Sequence, residues 1–218
     1  MAAEDGFSPE LEALRGATTL EVARFVIGNL PQVSYVALRP YVYVPNTPSG
    51  DEQQIPVSRE DFLHGSTVED IIAGTPEDYN VALDSRLWLE GQEPGEEPAA
   101  HLPMMDLSVP KSPYAVDFVR ERFGIEILPE FGGGFLIETN KSYHFLGRQL
   151  FPASRYLNFT SRMLRAAQVT QVHKGVERIH THIADYRYIS YSLERGSTGL
   201  RLTARADKVV EPRVVGII

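Results

Sequence analysis

The sequence contains no cysteine and no long hydrophobic run. Its 218 residues are 43% hydrophobic and 23% charged, and the formal net charge is −8. The absence of cysteine excludes disulfides, thiolate nucleophiles and zinc–thiolate sites, and it is typical of a protein in a reducing cytosol. Because no run of about 18 apolar residues is present, we expect no membrane-spanning helix and no membrane partner. The acidic first ten residues lack the apolar core of a secretory leader, so we expect a cytoplasmic protein.

Charge is distributed unevenly along the chain. Residues 1–110 hold 5 Lys or Arg against 19 Asp or Glu, whereas residues 111–218 hold 16 against 10. A basic half that follows an acidic half predicts that an anionic ligand binds the C-terminal half. A dipolar surface that keeps the protein in solution explains the same counts, so both interpretations stay open.

The first hundred residues contain a helix, a strand and two short helices by their patterns. Apolar spacing predicts a helix at residues 18–30, and β-branched and aromatic residues predict a strand at 33–45. Residues 58–65 and 66–74 each begin with a serine and end with a glycine, as short helices do. Residues 84–100 are acidic and rich in proline and glycine, so we predict an exposed loop.

The second half is richer in strand patterns. An apolar run at residues 101–108 predicts a buried strand that ends in an acid, and residues 112–124 predict a capped helix. Strands with helices packed against them indicate an α+β or mixed α/β fold. The remaining predicted segments are a hairpin at 134–147, a helix at 153–167, a strand at 176–185, a turn-rich stretch after it, and a last strand near 200–203.

Two aspartates stand at the ends of predicted strands. These are Asp106, in the segment HLPMMDLS, and Asp185, in the segment THIADYRY. A carboxylate at a strand end can hold a divalent cation against a phosphate, and Mg²⁺ and Mn²⁺ prefer such oxygen ligands. The alternative is that each aspartate caps a helix or a turn.

Ser142 and His144 stand two residues apart on the second strand of the predicted hairpin. The imidazole and the hydroxyl can both donate hydrogen bonds to a phosphate. A strand histidine that is satisfied by a neighbouring carbonyl is the alternative interpretation of His144.

Basic and aromatic side chains alternate over the last third of the chain. Basic groups neutralise phosphates and aromatic rings stack on bases, which favours a nucleotide or nucleic-acid face over ordinary solvated charge. The basic residues are Lys141, Arg148, Arg155, Arg162, Arg165, Arg187, Arg195 and Arg201, and the aromatic ones are Tyr156, Tyr186, Tyr188 and Tyr191.

The order of these segments resembles the catalytic core of the archaeo-eukaryotic primase superfamily, the primase–polymerases. The similarity covers about residues 101–205 and leaves residues 1–100 largely unmatched. Its most specific part begins at Asp185 and is similar to the family's succession of Arg-aliphatic-Ile, Ser-Leu and Thr-Gly-Leu. The corresponding residues here are Arg187, Tyr188, Ile189, Ser190, Ser192, Leu193, Thr198, Gly199 and Leu200.

The resemblance implies an α+β fold with an RRM-like palm, in which helices flank an antiparallel or mixed sheet. It also implies template-directed nucleotidyl transfer with two divalent cations, Mg²⁺ or Mn²⁺. By position, Asp106 and Asp185 are then catalytic metal ligands, and His144 is the third catalytic residue. The resemblance also implies that Ser142 and His144 hold the triphosphate. Lys141 and Arg187 are implied to face the nucleotide or its template.

One departure from the family pattern concerns the first motif. The family usually has Asp-x-Asp there, whereas this chain has Asp106 followed by Leu107 and Ser108. A hydroxyl attracts a divalent cation less strongly than a carboxylate does. Glu138, on the first hairpin strand, replaces the missing metal ligand if its side chain points to the same side.

We therefore predict a primase–polymerase-like nucleotidyltransferase domain for DNA replication, acting on nucleotides and a single-stranded nucleic-acid template. The alternative is a catalytically weakened or inactive primase-like domain that binds nucleic acid or a protein partner. An unrelated α+β domain is the third interpretation. We expect residues 101–218 to form the palm. Residues 1–100 are expected to form an acidic accessory segment of the same globular unit, which adds a layer to it or contacts a protein partner.

Overall fold

A computed structural model describes residues 7–42, 54–173, 176–181, 183–205 and 210–218. Its helices are α1 (Pro9–Glu12), α2 (Thr19–Gly28), α3 (Arg59–His64), α4 (Thr67–Gly74), α5 (Ala115–Glu126), α6 (Leu128–Phe131), α7 (Tyr156–Ala167) and α8 (Tyr186–Arg195). Its strands are β1 (Val33–Tyr41), β2 (Ile55–Ser58), β3 (Asn80–Leu89), β4 (Ala100–His101), β5 (Met104–Leu107), β6 (Gly134–Glu138), β7 (Tyr143–Gly147), β8 (Phe151–Pro152), β9 (Gln168–His173), β10 (Val176–Thr181), β11 (Gly199–Arg201) and β12 (Arg213–Ile217). No helix among these described segments is long and apolar enough to span a membrane.

The strands form two main antiparallel sheets. The first sheet has the order β2-β1-β3-β4-β8, with β11 paired to β3, and the second has the order β12-β6-β7-β5. Strands β9 and β10 form a separate two-stranded antiparallel sheet. Antiparallel sheets flanked by helices confirm the predicted α+β fold class.

Two hydrophobic cores pack against opposite faces of the second sheet. The first core joins both sheets to α2 and α3, with side chains such as Leu83, Leu146 and Phe62. The second core lies between the other face of the second sheet and helices α5 and α7, and it includes Phe145 and Phe159. Side chains that alternate along β5 and β7 therefore point to different cores.

Several predicted elements are confirmed. The helix predicted at residues 18–30 is α2, which begins with a capping box: the Thr18 hydroxyl accepts from the Glu21 N–H, and the Glu21 carboxylate accepts from the Thr18 N–H. The predicted short helices are α3 and α4, and the predicted hairpin is formed by β6 and β7. The strand predicted at residues 33–45 is β1, although its last three residues lie outside the described part of the chain.

Two local predictions are wrong. The first six residues of the predicted loop at 84–100 belong to β3, where Asp84 and Ser85 are fully buried. The stretch after Asp185, predicted to be rich in turns, is the helix α8, which begins at an Asp185 cap and ends at the left-handed Gly196. Long-range hydrogen bonds satisfy Asp84 and Ser85 of β3, and local composition does not reveal such bonds.

The first sheet draws strands from both sides of the predicted boundary at residue 100. Strand β3 pairs with β11, and β4 pairs with both β3 and β8. The chain then continues from β4 through Leu102 and Pro103 into β5 of the second sheet. Residues 1–100 and 101–218 therefore contribute to one sheet and to one shared core.

Candidate active site

Asp106 lies near the end of β5, where it faces His144 of β7. The two residues are directly opposite each other in the antiparallel pair, so their side chains point to the same face of the sheet. His144 Nε2 lies 3.7 Å from Asp106 Oδ1. The His144 side chain is 11% exposed and the Asp106 side chain is 40% exposed. The carboxylate is therefore the part of this pair that a ligand from solvent meets first.

Asp185 lies beside Asp106 at the other edge of β5. Leu107 forms an isolated antiparallel bridge with Ala184. In antiparallel pairing, the residue before Leu107 is opposite the residue after Ala184, so Asp106 and Asp185 occupy facing positions. The structure thus brings Asp106 between His144 on one neighbouring segment and Asp185 on the other.

The Asp185 carboxylate caps α8 and binds Arg187. Oδ1 accepts from the Arg187 N–H at 2.9 Å and from Arg187 Nε at 3.2 Å, and Oδ2 accepts from Nη2 at 3.1 Å. The capping role that the sequence left open for Asp185 is therefore present. A carboxylate has about four lone-pair positions, so these three bonds leave capacity for a further ligand. The Arg187 side chain is 61% exposed.

Ser108, which replaces the second acid of the family motif, lies just after β5. Its N–H donates to the Ile183 carbonyl at 2.8 Å, which extends the pairing at this edge by one further residue. The residue is exposed. Its position next to the Asp106 strand matches the family pattern, whereas its hydroxyl carries no charge to attract a cation.

Ser142 and Lys141 lie in the tight turn that precedes His144. The Ser142 carbonyl accepts from the Thr139 N–H at 2.9 Å, and the Ser142 N–H donates to Thr139 Oγ1 at 3.3 Å. These bonds fix the turn. Ser142 is half-buried just before β7, and Lys141 is exposed at the tip of the turn.

Glu138 lies on the other face of the second sheet. It is opposite Tyr143, and Tyr143 in turn is opposite Leu107, so these residues alternate with the row that contains Asp106. The Glu138 carboxylate accepts a hydrogen bond from Lys111 Nζ at 2.7 Å. The structure therefore does not bring Glu138 to the side of Asp106.

Tyr188, one of the aromatic residues predicted to form a nucleic-acid face, is a neighbour of the site. Its hydroxyl donates to the Gly199 carbonyl at 3.1 Å and accepts from the Gly199 N–H at 3.2 Å. Burial raises the pKa of the Tyr188 phenol above its usual value, and the negative charge of Asp106 raises it further. Tyr188 lies three residues after the Asp185 cap, on the first turn of α8, so the helix that Asp185 caps also carries this phenol.

The carboxylates of Asp106 and Asp185 are the kind of donor that Mg²⁺ and Mn²⁺ prefer. Within the described part of the chain, no group of three or more His, Asp or Glu side chains could hold a metal ion. Two carboxylates fit a Mg²⁺ site in which substrate phosphates and water complete the coordination. They do not fit a site for two ions held by protein carboxylates alone, because neither Ser108 nor Glu138 adds a third carboxylate to this face.

The arginines of α7 and the turn before it bind acidic side chains. Arg155 and Arg162 both form ion pairs with Glu130, and Arg165 Nε lies 2.9 Å from the Glu126 carboxylate. These guanidinium groups are therefore partly neutralised by α5 and α6. These three arginines were predicted to contribute to a basic nucleic-acid face, and in the structure they form ion pairs with acidic residues of neighbouring helices.

The model of the AEP-like family, described as archaeo-eukaryotic primase 1D-like, matches residues 60–213 of the chain. The match includes β3, the two strands of the Asp106–His144 pair and helix α8. It extends about 40 residues further towards the N-terminus than the resemblance carried by the motifs. Comparisons with curated proteins and with solved structures found no match. Since the matched region covers more than half of the chain and contains the Asp106 face, this chain belongs to the AEP-like, archaeo-eukaryotic primase-like family.

Proposed function

We propose that this chain is a nucleotidyltransferase of the primase–polymerase type, which binds a nucleoside triphosphate at Asp106, His144 and Asp185. One observation carries the proposal: Asp106 is opposite His144 of β7, and on its other side the segment that leads into Asp185 is bridged to β5 through Leu107 and Ala184. These three residues come from distant parts of the chain, and all three lie inside the region that the family model matches, which supports the proposal.

In this proposal, Asp106 and Asp185 hold a divalent cation, Mg²⁺ or Mn²⁺, together with the triphosphate. When bound, the cation supplies charge neutralisation and Lewis acidity at the phosphate. His144 and Ser142 donate hydrogen bonds to phosphate oxygens, and the exposed Lys141 and Arg187 contact the nucleotide or a single-stranded template. A primer or nucleotide hydroxyl attacks the α-phosphate, its proton passes to water, and pyrophosphate leaves with the electron pair of the broken P–O bond. The protein contributes mainly by orienting the reactants.

Primer synthesis on single-stranded DNA, with Mn²⁺ and all four nucleotides, tests the proposal. Asp106→Asn removes the charge with little change in shape, so we expect product formation to fall by about 100-fold or more. Asp117→Asn is the matched control, because Asp117 is 76% exposed on α5 and pairs only locally with Arg120. Absence of product with the wild-type chain, or equal product from Asp106→Asn, contradicts the proposal.

A second candidate function is binding of nucleic acid without catalysis. Ser108 in place of an acid, and Glu138 on the opposite face, both favour it, because they leave the Asp106 face with two carboxylates. A binder retains single-stranded DNA or RNA in a salt-dependent manner without requiring a divalent cation. Retention that is unaffected by a chelator, combined with no primer synthesis, supports this function over the first.

The contact between residues 1–100 and a protein partner stays a prediction. One acidic feature in this region is the turn after β3, where the Trp88 indole donates to the Glu96 carbonyl at 2.8 Å. Glu90, Glu93 and Glu97 lie in the same turn. A basic partner surface has the complementary charge, and its binding weakens as the salt concentration rises.

A further inference from the structure

We infer that Asp84 and Ser85 of β3 are positioning residues, which fix the C-terminal end of α8 and thereby hold Asp185 beside Asp106. The catalytic consequence of this inference rests on the proposed function. Both residues lie in the segment predicted from the sequence to be an exposed loop, and nothing in the family motifs assigns them a role. Their contacts with the turn after α8 carry the argument.

Three hydrogen bonds join Asp84 and Ser85 to the turn formed by Ser197 and Thr198. Ser197 Oγ donates to Asp84 Oδ2 at 2.9 Å, and the Thr198 N–H donates to Ser85 Oγ at 3.0 Å. The Ser85 N–H donates to the Thr198 carbonyl at 2.9 Å. All four residues are 0% exposed. We call this set of bonds the α8 anchor.

The side chains of Asp84 and Ser85 each make a further polar contact with a neighbour in the first sheet. Asp84 Oδ1 accepts from the N–H and the Nε of Arg86, both at 3.0 Å, so the buried carboxylate has a paired charge. Ser85 Oγ lies 3.0 Å from His101 Nδ1. Because Ser85 Oγ accepts from Thr198, its own proton is available to the imidazole. Replacing either partner therefore disturbs a defined geometry.

Helix α8 connects the anchor to the candidate active site. At its C-terminal end, Gly196 has a φ of 70° and the Ser197 N–H donates to the Ser192 carbonyl at 3.1 Å. At its N-terminal end, Asp185 is the cap. Ten helical residues span about 15 Å as a stiff rod, so a shift at one end moves the other. The Tyr188 hydroxyl adds a second link, because it binds the backbone immediately after the anchor.

Hydrogen exchange and steady-state kinetics on the full chain test the inference with Ser197→Ala. This change removes one hydroxyl and leaves the Asp84–Arg86 pair in place. Ser192→Ala is the matched control: the Ser192 hydroxyl is equally buried, lies on α8 itself, and has no hydrogen-bond partner among the described residues. Ser197→Thr keeps the hydroxyl and tests for rescue. Ser85→Ala serves as a second, independent break of the anchor if Ser197→Ala does not fold.

We expect Ser197→Ala to speed exchange of the Ile189 and Ser108 amides by about 5-fold or more, because these amides bond to Asp185 and Ile183. We also expect kcat to fall by about 10-fold while KM for the nucleotide changes by less than about 2-fold. Ser197→Thr restores both measurements, and Ser192→Ala leaves both unchanged.

Exchange that rises only at residues 196–201, or kcat that is unchanged in a folded Ser197→Ala chain, overturns the inference. So does an equal effect of Ser192→Ala. If the wild-type chain incorporates no nucleotide, the proposed function fails, and the exchange comparison alone decides whether the α8 anchor positions Asp185. The two failures are thus distinguishable.

Discussion

Burial keeps His101 uncharged at neutral pH. The side chain belongs to β4 and is 3% exposed, and its ring packs against Phe151 and Tyr156 with centroid distances of 5.5 and 4.7 Å. Burial lowers the pKa of His101 from 6.5 to about 4, and the negative charge of Asp84 opposes this shift only in part. A neutral imidazole also suits the hydrogen bond between Nδ1 and Ser85.

The depressed pKa of His101 predicts a loss of stability in acid. The unfolded chain binds a proton at this residue below pH 6.5, whereas the folded chain binds it only below about pH 4. The contribution is therefore fully present above pH 6.5 and is lost as the pH falls towards 4, by about 1.4 kcal/mol per unit and about 3 kcal/mol in all. Urea unfolding at several pH values measures this. His101→Asn, which keeps an acceptor for Ser85, should show a shallower dependence, and identical slopes contradict the prediction.

Gly134 lies where β6 leaves no room for a Cβ against the neighbouring strand β7. A Cβ at this position would overlap the carbonyl oxygen of Leu146 and lie 2.7 Å from the Phe145 ring. We expect Gly134→Ala to lower the free energy of unfolding by about 2 kcal/mol or more, because the backbone must move. Thermal unfolding measures the loss.

Gly124 is the control for that substitution. It lies inside α5, and a Cβ added there would meet nothing within 4 Å. Alanine there should stabilise the chain by about 0.5–1 kcal/mol, because glycine is a poor helix former. If both alanine variants shift the melting temperature equally, close packing is not what requires glycine at position 134.

At the scale of elements, the sequence predicted helix starts and strands with an apolar pattern. It did not predict elements that contain buried polar residues. Local patterns define α2, because Thr18 caps it and Glu21 completes the box. Strand β3 escaped prediction because Asp84 and Ser85 find their partners more than 110 residues away, at Ser197 and Thr198. The caps of α8, by contrast, were visible in the sequence, since an Asp precedes it and a Gly follows it.

Helices α6 and α7 are joined by a cluster of ion pairs around Glu130. Arg155 and Arg162 both contact this carboxylate, whose side chain is 27% exposed. Glu130→Gln leaves two nearby guanidinium groups without their shared counter-charge. We expect a loss of about 1 kcal/mol at low salt and a smaller loss at high salt, because ions screen partly exposed pairs.

Thermal unfolding of Glu130→Gln at two salt concentrations measures that effect. Glu121→Gln, at an exposed position of α5, is the control and should melt like the wild type. The same variant tests the nucleic-acid face predicted from the sequence. Tighter retention of single-stranded DNA by Glu130→Gln shows that Arg155 and Arg162 can reach phosphate once they no longer pair with Glu130. Unchanged retention and unchanged stability together contradict a role for this cluster.

At the scale of the whole molecule, the order of the sequence segments identified which candidate site residues lie at or beside β5. It did not identify the face of the second sheet on which each side chain lies. Asp106, His144 and Asp185 follow one another in segments whose order resembles the family. In the structure Asp106 and His144 lie on adjacent strands, and the segment before the Asp185 cap is bridged to the strand of Asp106. The face of Glu138 depends on the register of β6 against β7, and a shift of one residue reverses it. The sequence located the turn between β6 and β7, but the location of the turn alone did not determine the register of the two strands.

The shared sheet predicts that residues 101–218 do not fold without residues 1–100. Strand β3, which belongs to the first segment, pairs with β11 and β4, and the first core contains Leu83 beside Leu146 and Leu200. Removing the first segment exposes that core face and the paired edges of β11 and β4, which costs far more than the stability of a typical domain. The isolated fragment should therefore lack a dispersed amide spectrum and a cooperative melt.

As the control, the intact chain cleaved by a protease within the exposed turn at residues 90–97 should stay associated and melt cooperatively, because the contacts between the segments are already made. A fragment of 101–218 that melts cooperatively on its own contradicts the shared core and makes the accessory segment dispensable for the palm.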